Sequence, residues 1–342
     1  MTEMPGTDNR SASDAELRSI VEAVLHRHFG TERGVTHMEC RLSDFRSSFM
    51  LDEIDVWLDD GATLQLILKD LSWRALLQEA QGAKPAFLYD PLREIAVYQK
   101  ILRTRQFGVA TCYGAVVDRA KDRYWLFLER VAGLRLAHVG DFDIWQNTAR
   151  WLAGLHGQFV GQADLLAKAA PLVRYDGDFY LLWMRRTQQF ARGRVPKQHG
   201  VEWLAERYEQ VIERLVTLPK TFIHGEFCAP NVLVGTTTEG ARLCPVDWEM
   251  AAVGPGMIDL AALTSGKWSE EQRLAMAMAY YGSLPSGSEL RLPLDVFLDA
   301  LDYCHLHLAV QWLGWSRDWV PPLEHEHDWL GEAMRLAKKL GL

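Results

Sequence analysis

His224-Gly225-Glu226-Phe227-Cys228-Ala229-Pro230-Asn231 is followed sixteen residues later by Asp247, inside Cys244-Pro245-Val246-Asp247-Trp248-Glu249. Residues 220–223 just before it read as a short apolar strand, and Pro230 keeps the loop from continuing into a helix. A second strand starts at 232–234, residues 235–240 make the turn, and 241–246 return with Asp247 at the end. Such a hairpin gathers Glu226, Asn231 and Asp247 although they are distant along the chain. Two carboxylates and an amide are what phosphoryl transfer asks of a protein. One acid faces the attacking oxygen, while the amide oxygen and the second acid grip magnesium.

Working outward, Gly254-Pro255-Gly256-Met257-Ile258-Asp259-Leu260-Ala261 completes a set of motifs. Together they resemble the aminoglycoside phosphotransferase or choline-kinase-like family, whose motifs run His-Gly-Asp-x-x-x-x-Asn, Ile-Asp-Trp-Glu and Gly-Pro-x-x-x-Asp-Leu-Ala. The resemblance covers about residues 38–265. It implies an α+β, two-lobe protein-kinase-like fold. The N-lobe is an antiparallel sheet with a helix, and the mainly helical C-lobe carries a small catalytic hairpin. It also implies ATP (or GTP) and Mg2+ as cofactors, bound between the lobes. The γ-phosphate would pass to a hydroxyl of a small molecule: an aminoglycoside, amino sugar, sugar or natural-product intermediate. By the same resemblance Glu226 is the catalytic acid–base, Asn231 and Asp247 hold metal, Asp259 braces the loop, and His224 and Glu249 support it. The chain departs from the family at Glu226, where aspartate is usual. The extra methylene keeps open an ATP-binding pseudokinase working through a partner, and a kinase acting on Ser or Thr of a natural-product precursor peptide is a further reading of the acceptor.

Composition fits an ordinary soluble globular protein of more than one domain: 342 residues, 48% apolar and 24% charged. The reading divides them into a disordered start at 1–12, a nucleotide-binding lobe at 13–128, a linker at 129–135 and a catalytic and acceptor-binding lobe at 136–342. A formal charge of −8 argues against a nucleic-acid surface. No apolar run is long enough for a membrane span, and residues 1–14 lack the pattern of a signal peptide, so a cytoplasmic protein is expected. The five cysteines form no Cys-x-x-Cys pair and read as reduced thiols. Cys228 lies in the catalytic loop, but phosphoryl transfer of this kind needs no covalent enzyme intermediate. No interface signal fixes the oligomeric state.

In the first lobe, Ser13-Asp14-Ala15-Glu16 has capping-box spacing and opens a helix to about His28, which Gly30 ends. Strands are expected at 38–45, 49–58 and 63–69. The resemblance makes Lys69, at the end of the third, the lysine that contacts phosphates. It makes Glu94, on an amphipathic helix over 93–102, its tether. Arg46, Ser47 and Ser48 lie where kinases cradle phosphates. The loop has no glycine, and it reads equally as an ordinary polar hairpin turn. Glu129 and Val131 lie at the end of the strand at 124–131, which runs into the linker, and in kinase-like folds such a junction offers main-chain groups to adenine.

Beyond Gly133 the chain reads as helical, at 144–159, 179–195 and 201–218, with His156 structural. Arg185, Arg186, Arg192 and Arg194 read as a solvated cluster. The stretch 296–342 is helical and aromatic. The resemblance makes His305, Gln311, Trp312, Trp315 and Asp318 candidates for the acceptor pocket, where family members use acids to grip cationic sugars and indoles stack on sugar faces or cations. Glu324-His325-Glu326-His327 reads as a surface cluster rather than a metal site.

Overall fold

Ser13 caps the first helix, α1 (Asp14–Phe29), by accepting from Glu16 N at 3.3 Å, and Gly30 closes it in a left-handed conformation. The structure, a computed structural model, describes residues 13–30, 34–44, 48–103, 107–194, 197–238, 240–315 and 327–342. Two units emerge, Met1–Leu76 with Thr111–Arg130, and Leu77–Ala110 with Val131–Leu342.

The first unit is a five-stranded antiparallel sheet built from β1 (Val35–Leu42), β2 (Leu51–Leu58), β3 (Thr63–Asp70), β4 (Cys112–Asp118) and β5 (Arg123–Glu129), in the order β1-β2-β3-β5-β4. Alternation puts Ile54, Val56, Leu58, Leu66, Leu68, Trp125 and Phe127 on one face. There they bury against Leu17, Val21, Val24 and Leu25, which recur at helical spacing along α1. Lys69 is one residue out of phase with Leu68. Its side chain therefore leaves the opposite face, paired across the ladder with Leu51 and Leu126.

The second unit begins with α2 (Gln78–Ala83) and α3 (Arg93–Ala96), which widens into a π-helical turn at Val97–Leu102. The expected amphipathic helix over 93–102 is thus split. Arg93 through Tyr98 are all buried, Glu94 included, and the exposed polar side chain of this stretch is Lys100. After β6 (Leu134–Arg135) come α4 (Phe142–Phe159), α5 (Ala163–Ala169), β7 (Val173–Arg174), α6 (Gly177–Ala191), α7 (Lys197–Ala205) and α8 (Tyr208–Val216). The helix read over 201–218 is therefore two, α7 and α8. The strands β8 (Lys220–Ile223), β9 (Val232–Thr237), β10 (Gly240–Pro245) and β11 (Ala252–Pro255) follow. Last come α9 (Met257–Thr264), α10 (Glu270–Ser283), α11 (Leu294–Leu313) and α12 (Trp329–Lys339).

Two small sheets, β10-β9-β6 and β7-β11-β8, fix the hairpin. β9 and β10 pair antiparallel from Gly240↔Thr237 to Pro245↔Val232, while β11 returns alongside β8 with Ala252 opposite Ile223. The turn expected at 235–240 is shorter than that, because β9 runs through Gly235. A side chain there would lie 2.8 Å from the Ala132 carbonyl oxygen, so this glycine serves close strand approach rather than turning. The segments 224–231 and 246–251 leave the two sheets at one end.

Candidate active site

The loop over 224–231 is held by a set of hydrogen bonds. Gly225 follows β8 at φ +83°, and a Cβ on it would strike the Met250 carbonyl oxygen, so only glycine fits. Asp259, in the first turn of α9 and fully buried, accepts from His224 N at 2.6 Å and Gly225 N at 2.9 Å. Its Oδ2 also meets His156 Nε2 at 3.3 Å, and His156 Nδ1 lies 2.9 Å from the Tyr280 hydroxyl. His224 Nε2 donates to Val246 O at 2.9 Å, which leaves Nδ1 to accept from Glu226 N at 3.4 Å. That pair of bonds requires the Nε2–H tautomer.

Glu226 and Asn231 are held by main-chain groups. Glu226 O accepts from Cys228 N at 2.8 Å and from Asn231 Nδ2 at 3.0 Å. With the Asn231 amide nitrogen committed, its Oδ1 is the atom left to ligate. Asn231 O in turn accepts Val246 N at 2.9 Å, one residue before Asp247. Asp247 stands at φ +67°, ψ +59°, a left-handed conformation that costs an L-residue energy and clusters at functional sites. Burial first, then the charges of Glu226 and Asp247, pushes the Cys228 thiol well up, so this sulfur stays protonated and is a poor nucleophile.

Behind Asp247 the polar contacts come from the segment 77–110. Glu94 Oε1 accepts from Trp248 N at 3.2 Å, Lys84 forms a buried ion pair with Glu249, and Arg93 Nη1 donates to Glu249 O at 2.7 Å. Arg93 also donates to Leu88 O and Pro171 O at 2.7 and 2.8 Å, and its burial lowers its pKa. These bonds explain why this segment groups with the second unit. Lys84 and Arg93 escaped the sequence reading because a lone buried cation carries no local pattern.

In the first unit Lys69 is buried, with its ammonium 5.4 Å from the Phe49 ring centroid. The Glu129 carboxylate accepts from Thr111 N at 2.9 Å and Thr111 Oγ1 at 3.0 Å, and Glu129 N donates to Thr111 O at 2.8 Å, tying the end of β5 to the residue before β4. Ser48 is half-buried and Val131 opens the second stretch of the other unit. Arg46, Ser47 and Asp318, like 324–326 of the Glu-His run, lie outside the described residues.

Glu226 forms part of the wall of a cavity of about 510 Å³ within the second unit. Gln311, Trp312 and Trp315 line it too, and so do Trp145, Trp268 and Trp329. His305 does not line it. Its ring bonds Thr264 Oγ1 at 2.9 Å and Leu301 O at 3.0 Å, and burial lowers its pKa to about 4. Among the described lining residues Glu226 is the one carboxylate, and Asp318, the acid expected there, lies outside the described residues. Arg186 is not part of a merely solvated cluster. It donates to Gly314 O and Trp315 O, both at 3.0 Å, closing the end of α11 and setting Trp315.

Among the described residues no group of three or more His, Cys, Asp or Glu is arranged to hold a metal, and no helix is long and apolar enough to cross a membrane. A pair such as Asn231 and Asp247 suits magnesium, which keeps water and phosphate oxygens and needs only one or two protein carboxylates.

The family model described as "Phosphotransferase enzyme family" (APH) matches residues 56–292, over two thirds of the chain. The chain belongs to this family and is a phosphotransferase. Comparison with curated proteins gives no match. Among solved structures it is similar to a microcompartment-associated aminopropanol kinase (17% identity, 94% of each chain covered, TM-score 0.58). It is also similar to choline kinase from Cryptosporidium parvum Iowa II (13%, 94% of each chain, TM-score 0.55). A third is the GDP complex of aminoglycoside 2'-phosphotransferase-IIIa (14%, 94% of this chain and 97% of that one, TM-score 0.54). The fold is protein-kinase-like, as the resemblance implied.

Proposed function

We propose that the chain transfers the γ-phosphoryl group of ATP or GTP, with magnesium, to a hydroxyl of a small molecule. The observation that carries this reading is the lacing of Glu226, Asn231 and the residue before Asp247 by two bonds, Asn231 Nδ2 to Glu226 O and Val246 N to Asn231 O, with Glu226 facing a cavity.

Asn231 Oδ1 and the Asp247 carboxylate would hold magnesium, which when bound neutralises charge on the phosphates. Glu226 takes the acceptor's proton as that oxygen forms its bond to phosphorus and the nucleoside diphosphate departs. Lys69 is assigned to the phosphates, and the main chain of Glu129 and Val131 to the base. His224, Asp259 and Glu249 touch no substrate in this scheme and position the loop. Kinases for aminopropanol and choline and an antibiotic phosphotransferase bound to GDP, all of the same fold, support a small hydroxylated acceptor and a purine nucleotide.

The test is nucleoside triphosphate consumption by purified protein with magnesium across amino alcohols, sugars, amino sugars and aminoglycosides, with Asp247→Ala as the blank. Acceptor-dependent turnover that the substitution abolishes is expected. Turnover unchanged in both Asp247→Ala and Glu226→Gln would remove the assigned site.

A further inference from the structure

Asp247 leads into a single 3₁₀ turn, Trp248–Met250, from its left-handed conformation. An L-residue keeps such a conformation only where the surroundings over-determine it. On the upstream side Val246 N donates to Asn231 O at 2.9 Å. On the downstream side three bonds fall on two consecutive residues. Trp248 N donates to Glu94 Oε1 at 3.2 Å, Arg93 Nη1 donates to Glu249 O at 2.7 Å, and the Lys84 ammonium pairs with Glu249 Oε2. To relax to a negative φ, Asp247 would have to turn the peptide planes on either side of it, and these bonds oppose that rotation.

The groups that make the downstream bonds are themselves anchored. Lys84 ends α2, its amide donating to Ala80 O at 2.8 Å, and Pro85 follows it. Arg93 opens α3 and reaches Leu88 O at 2.7 Å and Pro171 O at 2.8 Å besides Glu249 O. One guanidinium thus ties three main-chain segments together, a task for a planar fork of donors rather than a point charge. The Trp248 indole stacks on Phe222 at 5.5 Å and donates to Pro245 O at 3.2 Å, so the turn is fixed on its apolar side as well.

Stability alone does not account for this choice of residues. Lys84, Arg93, Glu94 and Glu249 are 8, 5, 1 and 8% exposed, and the attraction within a buried ion pair offsets the lost hydration only in good geometry. Apolar side chains of similar volume would fill the space without that penalty. Charged and forked groups add direction, and here the direction is imposed on the two residues that follow Asp247.

We propose that Lys84 and Arg93 are positioning residues for metal binding, which act through Glu249 to keep Asp247 in the backbone conformation of a metal ligand. The proposal rests on the phosphotransferase reading, in which Asp247 is that ligand. Neither cation is asked to touch nucleotide or acceptor.

The experiment measures Mn2+ binding, from the electron paramagnetic resonance of the free ion, by protein saturated with ADP or, separately, with GDP. Urea unfolding and metal-free hydrogen–deuterium exchange of the peptide 246–251 are recorded beside it. Arg93→Lys keeps the buried charge and loses the fork. Lys84→Met combined with Glu249→Met replaces the ion pair by an apolar contact and strands no charge. Each variant is expected to bind Mn2+ about tenfold more weakly, as when an outer-shell partner of a metal site is removed, and to exchange faster over 246–251. His307→Phe, a substitution in the helical core, should lose stability with Mn2+ affinity unchanged. Wild-type Mn2+ affinity in both variants overturns the proposal whatever the exchange shows, and so does an equal loss of affinity in His307→Phe; either result leaves Asp247 as the ligand. Mn2+ binding that is the same in the wild type and in Asp247→Ala removes the phosphotransferase site, and the proposal falls with it.

Discussion

At Glu226 the backbone decides how much the side chain's length matters. Its carbonyl is pinned by Cys228 N and Asn231 Nδ2 and its amide by His224 Nδ1, so the main chain cannot follow a shortened side chain. Glu226→Asp would withdraw the carboxylate by about 1 Å, and misplacement on that scale costs on the order of a hundredfold in rate. A fall in kcat of that size, with nucleotide affinity retained, is the expected result. A rise would mean that glutamate is an impaired base here. Asp247, the proposed metal ligand, poses the complementary case of a residue held in a conformation that disfavours it. Asp247→Ala and Asp247→Gly should both abolish magnesium-dependent turnover. Because glycine accepts φ +67° freely, the glycine variant should be the more stable of the two by about 1 kcal/mol in thermal or urea unfolding. Equal stabilities would mean that the left-handed conformation carries no strain.

Among the elements, the loop between β8 and β9 depends on α9. Asp259 satisfies two consecutive amides of that loop, and it is buried with a histidine beside it. Asp259→Ala would strand His224 N and Gly225 N, and breaking such a buried set typically costs about 3 kcal/mol. Gly225→Ala should cost a similar amount, because its Cβ would meet a main-chain oxygen that cannot rotate away. Both variants should lose activity together with stability, whereas Glu226→Gln should lose activity alone; urea unfolding beside turnover separates the cases. These elements were legible because the strand, loop and hairpin are contiguous, so spacing alone brings Glu226, Asn231 and Asp247 to one end. What supports them from a distance was not. Glu94 was read through its resemblance to a lysine tether, and its bond to Trp248 N joins positions that no local period connects. Trp145, Trp268 and Trp329 look like core residues in sequence. They become cavity walls only when α4, the segment before α10, and α12 are packed together, and that is a property of tertiary structure.

Over the molecule as a whole, buried histidines set the response to acid. His305 and His307 sit on α11 with pKa values lowered by burial to about 4 and about 3, and among the described residues the His307 ring has only the Tyr208 hydroxyl, at 2.8 Å from Nδ1, as a hydrogen-bond partner. In the unfolded chain both would titrate near the usual 6.5. Below that pH the unfolded state binds protons that the folded state refuses, so stability falls as pH falls. Their contribution is complete above about 6.5 and is lost progressively toward 4 and 3. Each histidine adds about 1.4 kcal/mol per pH unit to the slope once pH is well below 6.5. Arg130 and Arg41 beside Glu53 and Asp55 hold those carboxyls below their ordinary values, but the stability they add fades only in a lower window, below about 4. The range from pH 6 to 5 therefore reports mainly on histidine. Urea unfolding across that range should show the wild type losing stability steeply. His307→Phe should start less stable, with Tyr208 stranded, yet lose stability less steeply by up to about 1.4 kcal/mol per pH unit. Parallel slopes for the two proteins would mean that His307 carries its proton in the folded state, and that water reaches a ring packed among Tyr175, Phe179 and Tyr180.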